Sequence, residues 1–393
     1  MTVASDIASN EVRQPQLLVI VTALAIVSIC VWFIHAYGWH QARLYGVGLT
    51  MGLVLYHASF GFGGAWRQLL AQRHSAGAEA QLLMLGVATL LFAPALAGGE
   101  LWGTPVAGAI APIGFQVAVG AFLFGLGMQL GGGCGSGTLF TIGGGSPRMI
   151  ITLIAFCAGS FLASLHMQWW VNTPRLPGIA LGHVLGWPLA VAAQLGLLTA
   201  LYLLLRVWRR PVHSVPANHW SWHDLLKGPW LLWWGAVALA LLNWVTLGLS
   251  GHPWTITWGF TLWGAKAATF LGWSPAGDWF WTGGFTENAL NNPVLADETS
   301  VMDFGIVVGA FLAAGLAGRF APDFKVSLSS LAAAIIGGLL MGYGARIGFG
   351  CNIGAFFSGI ASTSLHGWMW AAFALAGTWF GLRLRPLFRL KNA

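Results

Sequence analysis

Apolar runs about as long as a hydrocarbon core is thick recur from one end of the chain to the other, with brief polar stretches between them. The clearest cover residues 17–37, 44–60, 80–97, 106–130, 149–167, 181–205, 230–249, 255–273, 304–317, 326–344 and 368–382. Runs of this kind predict membrane-crossing helices, because lipid offers a spanning backbone no partner but itself. Several are short or broken by glycine and proline, so some segments are expected to enter the membrane without crossing it. The expected fold is an all-α polytopic membrane protein of about nine transmembrane helices plus re-entrant or short helices. The run at 17–37 is too long, and its flank too acidic, for a cleaved signal peptide; it is read as a retained helix.

Composition agrees with the pattern. Of 393 residues 57% are hydrophobic and 7% charged, against roughly a quarter charged in a soluble protein. The charges sort by loop. Arg67 and Arg73 share one connection, Arg206, Arg209, Arg210 and Lys227 a second, Arg319 and Lys325 a third, and Arg383, Arg385, Arg389 and Lys391 end the chain. Short loops rich in Lys and Arg stay cytoplasmic, which puts the C-terminus there. The segment 274–303 carries Asp278, Glu287, Asp297, Glu298 and Asp303 with no Lys or Arg, and is expected on the opposite side. The formal net charge of +7 thus reflects topology, and no basic stripe with interleaved aromatics suggests nucleic acid. The many tryptophans suit interfacial belts.

The polar run 206–229 divides the chain into halves, 1–205 and 230–393. Across it the sequence repeats. A shift of 217 residues superposes Gly125 on Gly342, Gly127 on Gly344, Gly131 on Gly348, Gly133 on Gly350, Cys134 on Cys351, Gly137 on Gly354 and Phe140 on Phe357. Two pseudo-symmetric halves follow, with inverted orientation the expectation because repeat transporters commonly place their substrate site where inverted repeats meet.

The paired motif suggests chemistry. Closely spaced glycines permit tight helix packing or an unwound backbone whose N–H groups face a ligand. Each cysteine would sit at that break, with a helix N-terminus opening after it toward an anion. A thiol is a weak donor and a polarisable group, suited to a soft sulfur- or selenium-containing anion. Gly133, Gly350 and Asn352 flank the cysteines; Gln129 and Arg346 lie five residues before each, at matching repeat positions. Arg346 either supplies charge at the cytoplasmic mouth or marks an interface. Lys266 is the one charge deep inside an apolar run, either functional or a snorkelling lysine near a helix end. Cys30 and Cys157 lack such surroundings and are read as packing residues. A disulfide framework is not expected, though a Cys134–Cys351 bridge is compatible with the sequence.

These stretches, "LGGGCGSGTLF" and "IGFGCNIGAFFSGIA", together with "GLVLYHASFGFGGAWRQLL" from Gly52 and "GHPWTITWGF" from Gly251, resemble the YeeE/YedE family of membrane proteins over most of the chain. The resemblance implies a bacterial inner-membrane importer of a small sulfur compound, thiosulfate above all. It further implies a pseudo-symmetric all-helical fold, the family's Gly-Cys residues at Cys134 and Cys351, and a small cytoplasmic sulfurtransferase as partner. Members often carry a further cysteine between two phenylalanines, where this chain has Phe60, Gly61 and Phe62.

Other readings carry less. His213, His219 and His223 stand at spacings that could hold a metal, with only Asp224 beside them, and no cofactor is expected. His57 and His366 read as hydrogen-bonded structure. An intramembrane serine protease using Ser136 and His366 would need glycine at position 134, where the chain has cysteine. A passive channel shares the fold logic and differs only in gating. The chain contains no P-loop, which excludes ATP hydrolysis by it.

Overall fold

The computed structural model describes residues 14–210 and 222–392. The expected histidine cluster therefore falls outside them at His213 and His219, and the His223 side chain is likewise outside. The first half of the chain forms α1 (Leu17–His35), α2 (Trp39–His57), α3 (Phe62–Gln72), α4 (Ala76–Gly98), α5 (Phe115–Gly131), α6 (Gly135–Gly143) and α7 (Pro147–Leu165). Short α8 (Met167–Val171) and α9 (Leu181–Leu185) lead to α10 (Trp187–Trp208) and α11 (Trp222–Lys227). Then follow α12 (Leu232–Ser250), α13 (Thr257–Phe270), α14 (Gly284–Asn291), α15 (Glu298–Leu316), α16 (Leu328–Ile347), α17 (Ser358–Ala361) and α18 (Leu365–Leu384). Among the described residues eight segments are long and apolar enough to cross a membrane, and α18, at 20 residues, matches them in length. Strand structure is limited there to two pairs of two-residue strands, Glu100–Leu101 with Thr104–Pro105 and Ile113–Gly114 with Arg175–Leu176. This is the all-α polytopic membrane fold that the apolar pattern predicts.

The boundaries differ in three instructive places. Residues 106–114 are not helical, because Pro105 and Pro112 cannot donate to a helix and the stretch instead pairs with residues 174–176. Helices α3 and α6 are too short to register as apolar runs. Asp303, expected in a polar loop, lies within α15, whose helix begins five residues earlier at Glu298 under an Asp297 cap: the Asp297 carboxylate accepts the Ser300 N–H at 2.8 Å.

Packing of the helices exposes the repeat. Helix α5 lies on α18 while α16 lies on α7; α2 lies on α15 while α12 lies on α4; α1 lies on α15 while α10 lies on α4. Each of these pairings has its counterpart when α1, α2, α4, α5 and α7 are matched to α10, α12, α15, α16 and α18. The matched helices α5 and α16 also cross each other, and they run in opposite directions: Gly120 meets Gly344 and Gly348, whereas Gly127 meets Gly337. The halves are therefore inverted. A Cβ on Gly337 would stand 2.2 Å from the Gly131 backbone nitrogen, so glycine is what lets this crossing close. The central helices are the most enclosed and the outermost are α1 and α10, with 11% and 17% of their apolar windows buried.

The ends of the helices define two faces. On one, Arg206 and Arg209 reach Glu79 at the start of α4 (both 3.6 Å), and Arg148 at the start of α7 bonds Ser330 of α16 (2.8 Å). Arg67, Arg73 and Arg385 gather on this basic face. The other, acidic face carries α14, Asp297 and Glu298. There Glu298 meets His40 of α2 at 2.9 Å and His252 at 3.5 Å. Burial works against a proton on His252, but the hydrogen bond and charge of Glu298, together with the Pro253 carbonyl, leave its pKa raised.

Candidate functional site

Both glycine-rich stretches break a helix in the same way. Helix α5 stops at Gly131, Gly132 turns left-handed (φ +99°), and Cys134 enters extended (φ −82°, ψ −165°) to cap α6. Helix α16 stops at Ile347, Phe349 and Gly350 turn left-handed (φ +58° and +139°), and Cys351 enters extended (φ −104°, ψ −162°). It caps a π-helical turn, Asn352–Phe357, that runs on into α17. The thiol is the cap in each case. Cys134 Sγ accepts the Gly137 N–H at 3.4 Å and lies 3.4 Å from Ser136 Oγ; Cys351 Sγ accepts the Ile353 N–H at 3.4 Å. Each thiol thus stands at the positive end of a short helix, a place suited to an anion.

The two breaks meet. A Cβ on Gly135, the first residue of α6, would lie 3.3 Å from Cys351 Sγ and 3.3 Å from Ile256. Both cysteines are buried and all four in the chain are free thiols, so the bridge that the sequence leaves open is not formed. Gly133 and Gly350 lie on the inside of their turns, where a Cβ would come within 3.1 Å of the Gly137 carbonyl carbon and 2.7 Å of the Ala355 nitrogen. On the elements that carry and adjoin the second break several buried polar groups have no partner among the described residues: both amide atoms of Asn352, next to Cys351, the indole N–H of Trp370, 3.2 Å from the Cβ position of Gly348, and that of Trp254, two residues before Ile256. Trp254 is fixed from behind, its backbone N–H donating to Asn243 Oδ1 (2.8 Å) and its backbone carbonyl accepting from Ser358 Oγ (2.8 Å). A region with unspent N–H donors beside a thiol has the chemistry to hold an anion with both soft and hard atoms.

Gln129 and Arg346 occupy matching repeat positions but opposite faces. Gln129 is fully buried; its side-chain N–H donates to the Gly63 carbonyl (3.2 Å) and its Oε1 is unpartnered. Below it the last carbonyls of α5 are closed off by arginines. Arg148 donates to Gly131 (2.6 Å) and Leu130 (2.7 Å), and Arg385 to Gln129 (2.5 Å). Burial first, then the neighbouring Arg67 and Arg148, bring the Arg385 guanidinium down to about 10. Arg346, at the end of α16, lies instead on the acidic face, away from the cytoplasmic-type basic clusters with which the sequence reading associates it. Its guanidinium sits over Phe280 at 5.1 Å, its Nε is buried without a partner among the described residues, and it lines a cavity of about 760 Å³ together with Thr255, Trp258, Phe280, Asn292 and Thr299. Thr255 connects this cavity to the second break, since its Cβ lies 3.9 Å from where a Cβ on Gly354 would be. The cavity's carboxylates are engaged elsewhere: Asp297 with Trp258 and Ser300, Glu298 with two histidines.

Lys266 is not brought to the cysteines. Its ammonium donates to the carbonyls of Leu290 (2.8 Å) and Asn292 (2.6 Å), tying α13 to the end of α14 at the back of the cavity. Ser136 and His366 are not paired either: Ser136 faces the Cys134 thiol and His366 bonds Ser364 at 2.8 Å. Trp254 and Trp370 escape a sequence reading because nothing separates them from the other tryptophans. Asn243, a lone amide in an apolar helix, is the signal that could have led to Trp254.

Residues 57–380 match the family described as sulphur transport. The "Probable transporter YedE" of Escherichia coli K12 is 35% identical over 177 residues, which is 43% of this chain and 43% of that protein. The "Thiosulfate transporter TsuA" of Spirochaeta thermophila is 26% identical over 352 residues, 85% of this chain and 95% of that protein. Its namesake in Escherichia coli K12 is 27% identical over 354 residues, covering 84% and 91%. The match to YedE thus spans under half of that protein, whereas the matches to TsuA run nearly end to end.

Proposed function

The chain belongs to the sulphur transport family, and on that premise we propose that it imports a small sulfur-containing anion, thiosulfate before others, across the bacterial inner membrane. The observation that carries this reading is the meeting of two cysteine-capped helix breaks at the centre of an inverted repeat, Cys351 Sγ lying 3.3 Å from the Cβ position of Gly135. The near full-length likeness to proteins named thiosulfate transporters supplies the substrate.

The acidic face is outside and the basic face, with the C-terminus, is cytoplasmic. The anion enters the cavity, where Arg346 offers a positive charge not committed to any carboxylate. It passes to Cys351, whose thiol can donate to the terminal sulfur while Asn352, Trp254 and Trp370 offer N–H groups to the oxygens. Cys134 receives it across the Gly135 contact, and Gln129 and the cluster of Arg67, Arg148 and Arg385 lie beyond. Each contact is weak enough to release, so the passage is non-covalent and no enzymatic step is invoked. Lipid surrounds α1 and α10, and a small cytoplasmic sulfurtransferase consumes the product; the halves, divided in the sequence at the polar run 206–229, are taken to divide instead between α7 and α10, because α10 packs on α4 as α1 packs on α15.

The test is uptake by purified protein in liposomes with thiosulfate, sulfite, sulfate and selenite in parallel. Thiosulfate is expected to enter at least several times faster than sulfate, which has no soft terminal sulfur. Equal rates for the two would remove the reason for a thiol-lined path.

A further inference from the structure

Asp303 is the acid this mechanism leaves unused. It lies in the second turn of α15 with 0% exposure, and neither carboxyl oxygen has a hydrogen-bond partner among the described residues. Its Oδ2 is 2.9 Å from the position a Cβ on Gly259 would take, so the bare backbone of α13 passes directly over the carboxyl group. Thr299, one turn before it, and Trp258, the neighbour of Gly259, both line the outer cavity. Asp303 therefore sits just beneath the cavity floor under Gly259; Ile256, three residues before that glycine, meets Cys351 Sγ at the Cβ position of Gly135 (3.3 Å to each), and Gly264 of the same helix meets the Cys157 carbonyl (2.5 Å).

The surrounding elements offer it no counter-ion. On α15 itself Asp297 bonds Trp258 and Ser300, and Glu298 bonds His40 of α2 and lies 3.5 Å from His252 as an ion-pair partner. On α13 Lys266 is spent on the Leu290 and Asn292 carbonyls. Helix α7 contributes Cys157, α1 Cys30 and an exposed His35, α2 Tyr45, His57 and Arg43, which is exposed, α6 its cap Cys134, and α11 Lys227 and Asp224 at the far, basic end; Arg346 stands across the cavity over Phe280. An ionised carboxylate with neither donor nor cation is among the costliest groups a membrane interior can hold, and such acids mark ion and proton routes.

We propose that Asp303 takes up a proton from the outer cavity when the anion binds and releases it on the cytoplasmic side, making the protein a proton–anion symporter. The inference rests on the anion import proposed above. A charged Asp303 repels an anion arriving at Cys351, and a protonated one does not. Proton and anion therefore bind each other's preferred state, which is the thermodynamic requirement for coupling. The proton also offsets one of the charges that a dianion carries inward against a negative-inside potential.

The full chain is reconstituted in liposomes containing a pH dye, and labelled thiosulfate is added outside. Wild type is expected to acidify the lumen as thiosulfate enters, and to accumulate about tenfold more for each pH unit of acid-outside gradient, since a pH unit is a tenfold ratio of proton activity. Asp303→Asn is expected to keep thiosulfate exchange at equal pH while losing both lumen acidification and the response to the gradient. Asp303→Glu is expected to restore both with a displaced pH profile. Thiosulfate entry by wild type without acidification, or an Asn variant that acidifies like wild type, overturns the proton site and leaves anion import standing. Absence of thiosulfate entry at every pH overturns the import reading itself. The wild-type measurement decides the coupling even where a variant fails to insert.

Discussion

The two cysteine breaks share a sequence and a backbone path but not a setting. Behind Cys134 the exit is shut: Arg148 and Arg385 fill the last carbonyls of α5, and α6 is a regular helix whose first turn is closed by the Thr138 N–H on the Cys134 carbonyl (2.8 Å). Behind Cys351 the corresponding place is open. The repeat mate of Gln129 is an arginine with an unpartnered Nε facing a cavity, and the following turn is π-helical, with both Ala355 and Phe356 reaching the Cys351 carbonyl (2.9 and 3.3 Å). Wound this way, the turn departs from the regular helix of its mate at a site next to the path, where such bulges are common. On the import proposed above, an inverted repeat with one end sealed and the other open would be one of the two states of an alternating-access transporter.

The strongest way to break the comparison is to remove what the two sites have in common. Serine is the better helix cap, so Cys134→Ser and Cys351→Ser should both fold and insert as the parent does. What they lose is the soft, polarisable donor. Each is expected to lower thiosulfate uptake at least tenfold, with the double variant little worse than the poorer single one because the sites act in series. Growth on thiosulfate as sole sulfur source, beside quantification of each variant in the membrane, reads both quantities. A serine variant that grows like the parent would demote that cysteine to packing.

What they do not share is sharpened by exchanging the arginines' roles. Arg346→Gln removes a cavity-facing charge that bonds no backbone carbonyl in the structure, and should raise the thiosulfate KM several-fold with little change in thermal stability. Arg148→Gln strips two carbonyls of their donors on the sealed face, and should lower stability by about 2 kcal/mol while leaving KM near the parent value. Melting curves in detergent and initial-rate uptake separate the two. The reverse assignment would mean that the open and closed ends have been misidentified.

Much of this was legible in the chain and some was not, for physical reasons. Apolar runs report burial in lipid, so the helices and their rough order followed from them. Repeated glycines report close backbone approach, so Gly133, Cys134, Gly350 and Cys351 could be placed at breaks. Charge was harder to read, because a loop's composition does not say where a helix begins: Asp297 caps α15 early and draws Asp303 into the protein. Lys266 looked buried because α13 ends sooner than its apolar sequence does. Arg346 and Gln129 matched in register, but inversion sends matched residues to opposite faces, and register alone cannot show that.

The smallest expected effect falls on the cysteines outside the breaks. Cys30 lies on peripheral α1 in a cluster with Tyr45 and Val301, and Cys157 on α7 where its carbonyl lies 2.5 Å from the Cβ position of Gly264. Neither caps a helix, and both are only partly buried. Truncation to alanine removes one sulfur atom, and because a partly buried site can relax, each should cost about 1 kcal/mol or less. Uptake per inserted molecule should stay near the parent value, inside the roughly fivefold that 1 kcal/mol would span if all of it fell on transport. Cys157 is the sharper of the two, since it packs on α13, the helix that also covers Asp303. If Cys157→Ala stopped uptake while Cys30→Ala did not, the path would run between α7 and α13 rather than through the paired breaks, and the symmetry of the two cysteine sites would be architectural only.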